Sequence, residues 1–283
     1  MALDVARLLA LNSEGHETAY DEQTAMLYAL GVGYGGDPAD GGERDFVYER
    51  NLKVAPTMAT VIPTQSALSD YGLDLARVLH GEQRLTLHAP LPPSAELFAD
   101  WRITGAVDKG PGKGTLILSE TVLRRRGGEK LATLGATIYA RGYGGFGGPR
   151  EGGLPPHPVP SDRPPDAEVA LRTRPDQALL YRLSGDRNPL HADPAFAKAA
   201  GFERPILHGL CTYGVACRAV LRAFCDYDPA LLRQFDARFS APVLPGETIL
   251  TRMWKEAGGV SFEAVAAESG QTVLTNGRAV LAA

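Results

Sequence analysis

The chain is divided near its middle by a stretch that neither a helix nor a central strand can cross. Residues 142–168 are rich in glycine and proline, which interrupt both kinds of element. We interpret this stretch as a linker between one unit at residues 1–141 and a second at residues 169–283. Its glycines are not predicted to form a phosphate loop, because no strand-then-helix pattern flanks them.

The two units resemble each other in sequence, which predicts one structural unit repeated twice. Three segments of the first unit align with three of the second: 28–31 with 181–185, 55–58 with 204–207, and 89–93 with 241–245. Each unit then ends in segments that alternate apolar and polar residues and are rich in Thr and Val, which predicts antiparallel strands. These segments include 101–103, 114–118 and 132–139 in the first unit, and 248–251, 260–265 and 272–280 in the second.

A long helix is predicted over residues 208–224. Its apolar stripe consists of Leu210, Gly214, Cys217, Leu221 and Phe224. With 283 residues, of which 44% are hydrophobic, the chain is long enough to cover such a helix with a sheet in each unit.

Three polar side chains of different chemistry fall within six residues of the second unit. They are Asp186, Asn188 and His191, an acid, an amide and an imidazole on a turn rich in Gly and Pro. Such a set can hold one small polar molecule, most simply a water. The segment continues through residues 205–209 to the start of the predicted helix, where unpaired backbone N–H groups favour negative charge. The sequence therefore places an acid/base pair and an oxyanion site close together along the chain.

The repeat provides an internal control for this interpretation. The aligned pairs are Asp186 with Gly33, His191 with Pro38 and Gly209 with Thr60. If the aspartate and histidine served packing alone, the first unit should carry similar polar or bulky residues there. It does not, so we expect the first unit to keep the scaffold without the chemistry.

The same residues resemble a known family. The run 185–194 (GDRNPLHADP), followed by Gly201-Phe202 and by PILHG at 205–209, resembles the hydratase 2 motif of the MaoC-like (R)-specific enoyl-CoA hydratases. The resemblance implies an α+β double hot-dog fold, in which each unit wraps a curved antiparallel sheet around a long helix. It also implies that the first unit accommodates long or bulky acyl chains.

The activity implied by the resemblance is reversible syn hydration of trans-2-enoyl-CoA to (3R)-hydroxyacyl-CoA. Such an enzyme serves fatty acid metabolism, for example β-oxidation. It uses no metal or redox cofactor, its substrate is carried on coenzyme A, and a homodimer is expected.

By resemblance, Asp186 and His191 are the catalytic pair, Asn188 assists them, and the Gly209 N–H stabilises the oxyanion. These roles suit the residue types, since the pKa of histidine lies near neutrality and glycine allows close backbone approach. Each residue also has a structural interpretation: the aspartate and asparagine as turn residues, the histidine as a hydrogen-bonded core residue.

Two further residues are candidate substrate contacts. His208 could line the acyl tunnel or simply cap the long helix, and Tyr213 could face the pocket or belong to the core. A metal site is not predicted, because His191 and His208 lack partners at metal-ligand spacing.

Other functions remain open at this stage. A 3-hydroxyacyl-CoA or acyl-carrier-protein dehydratase would use the same residues in the reverse direction. A hot-dog thioesterase fits the motif poorly. A catalytically silent acyl-binding or subunit-pairing module would not need the pair Asp186 and His191.

Charge and composition narrow the partners and the location. The net charge of −4 argues against non-specific nucleic-acid binding, which needs a basic face. No apolar run is long enough to cross a membrane, and the first residues do not resemble a secretory signal. The three cysteines, an odd number within one predicted helix, argue against a disulfide framework. We therefore expect a cytoplasmic protein that binds neither membrane nor nucleic acid.

Overall fold

The computed structural model describes residues 3–37, 39–63, 68, 71–74, 77–153 and 155–282. The strands are β1 (Asn12–Tyr20), β2 (Val78–Leu87), β3 (Ala95–Asp108), β4 (Gly114–Arg125), β5 (Lys130–Arg141), β6 (Ala167–Arg172), β7 (Leu232–Phe239), β8 (Thr248–Glu256), β9 (Gly259–Ala266) and β10 (Gln271–Leu281). The α-helices are α1 (Val5–Leu9), α2 (Glu22–Gly31), α3 (Gly41–Arg44), α4 (Gln177–Tyr181), α5 (Pro194–Ala199) and α6 (Gly209–Phe224). None of the helices in the described ranges has the length and apolar character that a membrane crossing requires.

The ten strands form one antiparallel sheet in the order β1-β3-β4-β5-β2-β7-β10-β9-β8-β6. From the centre of the sheet outward, the first half runs β2-β5-β4-β3-β1 and the second half runs β7-β10-β9-β8-β6. The two halves therefore have the same connectivity, with β7 corresponding to β2 and β6 to β1. The halves meet where β2 pairs with β7, and Arg84 lies opposite Asp236 in that register. The double hot-dog fold predicted from the repeat is confirmed, and the predicted strand segments lie within β3, β4, β5, β8, β9 and β10.

Helix α6 is the predicted long helix, and it is buried on more sides than its apolar stripe indicates. Every residue from Cys211 to Leu221 is buried. The sheet of its own unit covers one side, and the first unit covers the other: a Cβ on Gly214 would lie 2.5 Å from a methyl group of Val32. Gly214, a residue of the stripe, faces the first unit, whereas Tyr213, outside the stripe, is buried against β7 of the sheet. The stripe alone did not mark both buried sides, because the sequence does not show that a sheet and a second unit pack on opposite sides of the helix.

The first unit differs from the second in its central helix. At the position aligned with the start of α6, the described residues form a five-residue 3-10 helix, Pro56–Thr60. The longest helix described in this unit is α2, with ten residues. The expectation of a long helix in each unit therefore holds for the second unit and not for the described part of the first.

The segment between β5 and β6 is held against the sheet by specific hydrogen bonds. The backbone N–H groups of Gly110, Gly145 and Gly147 donate to the Asp108 carboxylate at 2.7–2.8 Å. These hydrogen bonds lower the pKa of Asp108. The glycine-rich stretch thus surrounds a carboxylate of the protein itself, which agrees with the prediction that it is not a phosphate loop.

Candidate active site

The predicted acid and amide lie on the turn that follows a 3-10 helix, Arg182–Ser184. Gly185 takes a φ of +128°, a backbone conformation that favours glycine. The Asn188 N–H donates to Asp186 Oδ1 at 3.1 Å, and Asn188 Oδ1 accepts from the Leu190 N–H at 3.0 Å. The asparagine therefore shapes the turn through its backbone and side-chain oxygen, while its amide N–H groups point to no acceptor in the described chain. The side chain of Asp186 remains 47% exposed.

His191 is the buried partner of this acid. Its Nδ1 lies 2.9 Å from the carbonyl oxygen of Ile206. Because a carbonyl only accepts, Nδ1 carries the proton and Nε2 presents a lone pair. Burial lowers the pKa of His191, which favours this neutral form. Its Nε2 lies 4.0 Å from Asp186 Oδ2, so two acceptors face each other across a gap that one water can bridge.

His208 lies behind this pair, at the N-cap of α6. It is 1% exposed, and its ring stacks on that of His191 with centroids 3.7 Å apart and planes inclined by 27°. Its Nε2 lies 3.1 Å from the backbone oxygen of Asp186. Burial lowers the pKa of His208 to about 4, and the neighbouring His191 adds to this lowering.

Gly209 begins the sixteen-residue helix α6 and is exposed. No acceptor within the described chain takes a hydrogen bond from its N–H, which is one of the unpaired donors at a helix start. A Cβ on this residue would lie 3.2 Å from the ring of Phe239. Glycine thus allows the end of β7 to approach the helix start, and the free N–H can stabilise an anion there.

The first unit contributes a residue that the sequence did not reveal. His80 on β2 lies edge-on to Phe239, with ring centroids 5.0 Å apart. Burial lowers the pKa of His80 to about 4, and the charge of Asp186 opposes this lowering. The site therefore lies at the junction of the two units. The sequence offered little to indicate it, because β2 also carries polar residues such as Glu82 and Arg84, among which one histidine does not stand out.

The position aligned with Asp186 is filled differently in the first unit. Gly33 has a φ of +89°, and a Cβ there would lie 2.8 Å from Arg218 Nη1. Arg218 is buried and donates from Nε to Glu43 Oε1 at 2.8 Å. Of the other aligned positions, Thr60 ends the short 3-10 helix, and Pro38 lies outside the described residues.

Tyr213, the second candidate substrate contact, lies in the core. It is fully buried, and its hydroxyl donates to the backbone oxygen of Phe235. Its predicted contact with the acyl chain stays a prediction.

The arrangement of the two histidines bears on metal binding. Asp186, His191 and His208 each place a ligand atom within 4.8 Å of the others. The two rings are stacked, however, so an ion at about 2 Å from a nitrogen of each would require one ring to leave the stack. The geometry favours a water between the aspartate and His191 over a zinc site.

Comparison with known proteins gives matches over both units. Residues 158–277 match the MaoC like domain, and residues 18–142 match the MFE-2 hydratase 2 N-terminal domain. The chain is 40% identical to enoyl-CoA hydratase ChsH3 of Mycobacterium tuberculosis over 98% of both chains. It is 41% identical to the peroxisomal enoyl-CoA hydratase 2 of Arabidopsis thaliana, over 90% of this chain and 88% of that one. Among solved structures, it is similar to a MaoC-like dehydratase from Phytophthora capsici, with a TM-score of 0.88, 35% identity, and coverage of 99% of this chain and 98% of that one.

Proposed function

This chain belongs to the MaoC-like enoyl-CoA hydratase 2 family of hydro-lyases, and we propose that its second unit catalyses the reversible syn hydration of trans-2-enoyl-CoA to (3R)-hydroxyacyl-CoA. The observation that carries the proposal is the 4.0 Å gap between His191 Nε2 and Asp186 Oδ2. A water in this gap donates one hydrogen bond to each acceptor. Its oxygen lone pairs are then free to attack a carbon.

His191 moves the proton in this mechanism. As the water oxygen bonds to C3 of the enoyl thioester, His191 Nε2 takes a proton from the water. The π electrons of the C2–C3 double bond move toward the thioester oxygen, which becomes an enolate. The imidazolium then returns a proton to C2 on the same face, which gives syn addition and regenerates neutral His191. Asp186 stabilises the imidazolium by its charge, and the Asn188 amide orients the water.

The Gly209 N–H stabilises the enolate. It is the first donor of a long helix, so the partial positive charge of the helix start acts together with the hydrogen bond. A preorganised donor of this kind typically contributes about 3–4 kcal/mol to transition-state stabilisation.

The reverse reaction uses the same residues. Dehydration of a 3-hydroxyacyl thioester follows the same steps backward, and the similar Phytophthora capsici protein is described as a dehydratase. A thioesterase would need its water aimed at the thioester carbon. A catalytically silent binding module would not need Asp186 and His191 to stand one water apart.

We also propose that residues 1–141 form the unit that accommodates the acyl chain. The support is the short Pro56–Thr60 helix, which stands where the second unit has sixteen helical residues. The proposed steps use the protein, a water and the acyl group carried on coenzyme A, and they require no separate cofactor. The homodimer and the cytoplasmic location stay predictions; one relative is a peroxisomal enzyme.

Substitution of the catalytic pair tests this function. We expect Asp186→Asn and His191→Gln each to lower the rate of trans-2-enoyl-CoA hydration by about 10²- to 10⁴-fold, because the first removes the charge that stabilises the imidazolium and the second removes the base. The loss of enoyl absorbance measures the rate, and circular dichroism checks the fold. His88→Gln is the matched control, since His88 is exposed and, among the described residues, its side chain hydrogen-bonds the Thr133 hydroxyl alone. Near-normal hydration by either catalytic variant would contradict the assigned roles.

A further inference from the structure

His208 connects three parts of the candidate site. Its backbone precedes the oxyanion residue Gly209, its Nε2 lies 3.1 Å from the Asp186 carbonyl oxygen, and its ring stacks on His191. It occupies the N-cap of α6, yet its side chain makes no capping hydrogen bond. At 1% exposure it offers no free surface to a substrate. The expected contact of His208 with the acyl chain stays a prediction, and its place at the N-cap does not by itself account for these side-chain contacts.

The hydrogen bond fixes the tautomer of this ring. The Asp186 carbonyl can only accept, so His208 Nε2 carries the proton and donates. The other nitrogen, Nδ1, is buried and has no partner in the described part of the chain. Three titratable groups, His191, Asp186 and Arg182, interact electrostatically with the ring. The ring of Tyr181 is tilted against it, with ring centroids 4.9 Å apart. A neutral ring with its proton on Nε2 satisfies the carbonyl and places no cation against His191.

These contacts determine where the two catalytic groups stand. His191 is held on one edge by the Ile206 carbonyl and on one face by the His208 ring, so its plane is fixed. The Asp186 backbone is held by the His208 Nε2–H, which limits where its exposed carboxylate can swing. A displacement of about 1 Å in such a pair is enough to lower a rate by about 10²-fold.

We propose that His208 is a positioning residue for hydration: its Nε2–H holds the Asp186 backbone and its ring supports the His191 imidazole, so that the two acceptors keep the spacing for one water. This role rests on the proposed function. It differs from a substrate contact because it acts on the protein groups and leaves substrate affinity unchanged.

Two substitutions separate the hydrogen bond from the stacking. His208→Phe keeps a ring against His191 and removes the hydrogen-bond donor. His208→Gln removes the ring and keeps an N–H donor at about the position of His208 Nε2. We expect His208→Phe to lower kcat by roughly 10- to 100-fold with KM unchanged, because the catalytic turn loses its anchor. We expect the kcat of His208→Gln to be several-fold higher than that of His208→Phe. His88→Phe and His88→Gln, at an exposed histidine, are the matched controls.

Each alternative outcome has a distinct meaning. Unchanged kcat and KM in a folded His208→Phe variant would overturn the positioning role. A raised KM with unchanged kcat would assign His208 to substrate binding instead, which also overturns it. A wild-type protein without hydration activity would contradict the proposed function itself.

The tautomer of His208 can be measured in the wild-type protein, so this test does not depend on whether a variant folds. Nitrogen NMR of histidine-labelled protein should show the His208 ring neutral, protonated at Nε2, and unchanged from pH 8 to pH 6. A ring protonated at Nδ1, or a cationic ring at pH 7, would overturn the positioning role even if both variants prove insoluble.

Discussion

At the scale of single residues, one aligned position separates the unit proposed to be catalytic from the first unit. Asp186 stands on an exposed turn beside His191, whereas Gly33 lies against the buried guanidinium of Arg218. An aspartate at Gly33 would require a Cβ 2.8 Å from that guanidinium and a residue with φ of +89°. The position aligned with Asp186 therefore lies beside a buried ion pair, Arg218 with Glu43, and has no room for an acidic side chain.

Removal of one partner of that buried ion pair should be strongly destabilising. In the Arg218→Met variant, Glu43 is left 2% exposed and without its cation. We expect a loss of about 3–5 kcal/mol in the free energy of unfolding, because an unpaired buried charge is costly. Urea unfolding measures the change.

Arg102→Met is the matched control for this experiment. It breaks the Arg102–Glu120 pair, whose side chains are 65% and 34% exposed. An exposed pair of this kind contributes under about 1 kcal/mol. Equal losses in the two variants would contradict the importance given to the buried pair.

The motif residues were predictable because they are close along the chain. Asp186, Asn188 and His191 fall on one turn, and the structure brings Gly209 to the same place through the start of α6. His80 was not predictable, because it reaches the site only through the pairing of β2 with β7, whose partners are about 150 residues apart in sequence. The anchoring role of His208 depends on a ring stack and a backbone contact, which no sequence pattern specifies.

At the scale of elements, α6 organises the second unit and also supports the first. Its buried face extends around the helix because the sheet packs on one side and α2 on the other. Gly214 marks the closest approach: a Cβ there would lie 2.5 Å from Val32 and 3.2 Å from the hydroxyl of Tyr28. The sequence placed Gly214 in the apolar stripe correctly but gave no reason for a glycine at mid-helix.

The close approach at Gly214 can be tested by adding a single methyl group. Alanine is favoured over glycine by about 1 kcal/mol in a helix interior. Overpacking a dense core costs about 1–3 kcal/mol, so we expect Gly214→Ala to lower the free energy of unfolding by roughly 1 kcal/mol in total. The double variant Val32→Ala/Gly214→Ala should be more stable than the sum of its single changes predicts. A stabilised Gly214→Ala variant would contradict the packing described for α6.

At the scale of the whole molecule, two copies of one strand order share a single ten-stranded sheet. The sequence predicted the repeat and the strand segments, because periodicity and alignment are local properties. It did not identify which strands join the units, since strand pairing depends on contacts between residues far apart in the chain. The junction bears on the proposed site, because β2 and β7 bring His80 and Phe239 close to Asp186 and Gly209 of the second unit.

The most direct test is hydration by the wild-type protein with chiral analysis of the product. Purified protein is added to trans-2-enoyl-CoA substrates of short, medium and long chain, and the loss of enoyl absorbance is followed. We predict turnover with a (3R)-hydroxyacyl-CoA product: a water between Asp186 and His191 would attack one face of the double bond and give a single enantiomer, and the (3R) configuration follows from the resemblance to the (R)-specific hydratases. A (3S) product, or no turnover with any chain length, would contradict the assignment of this site.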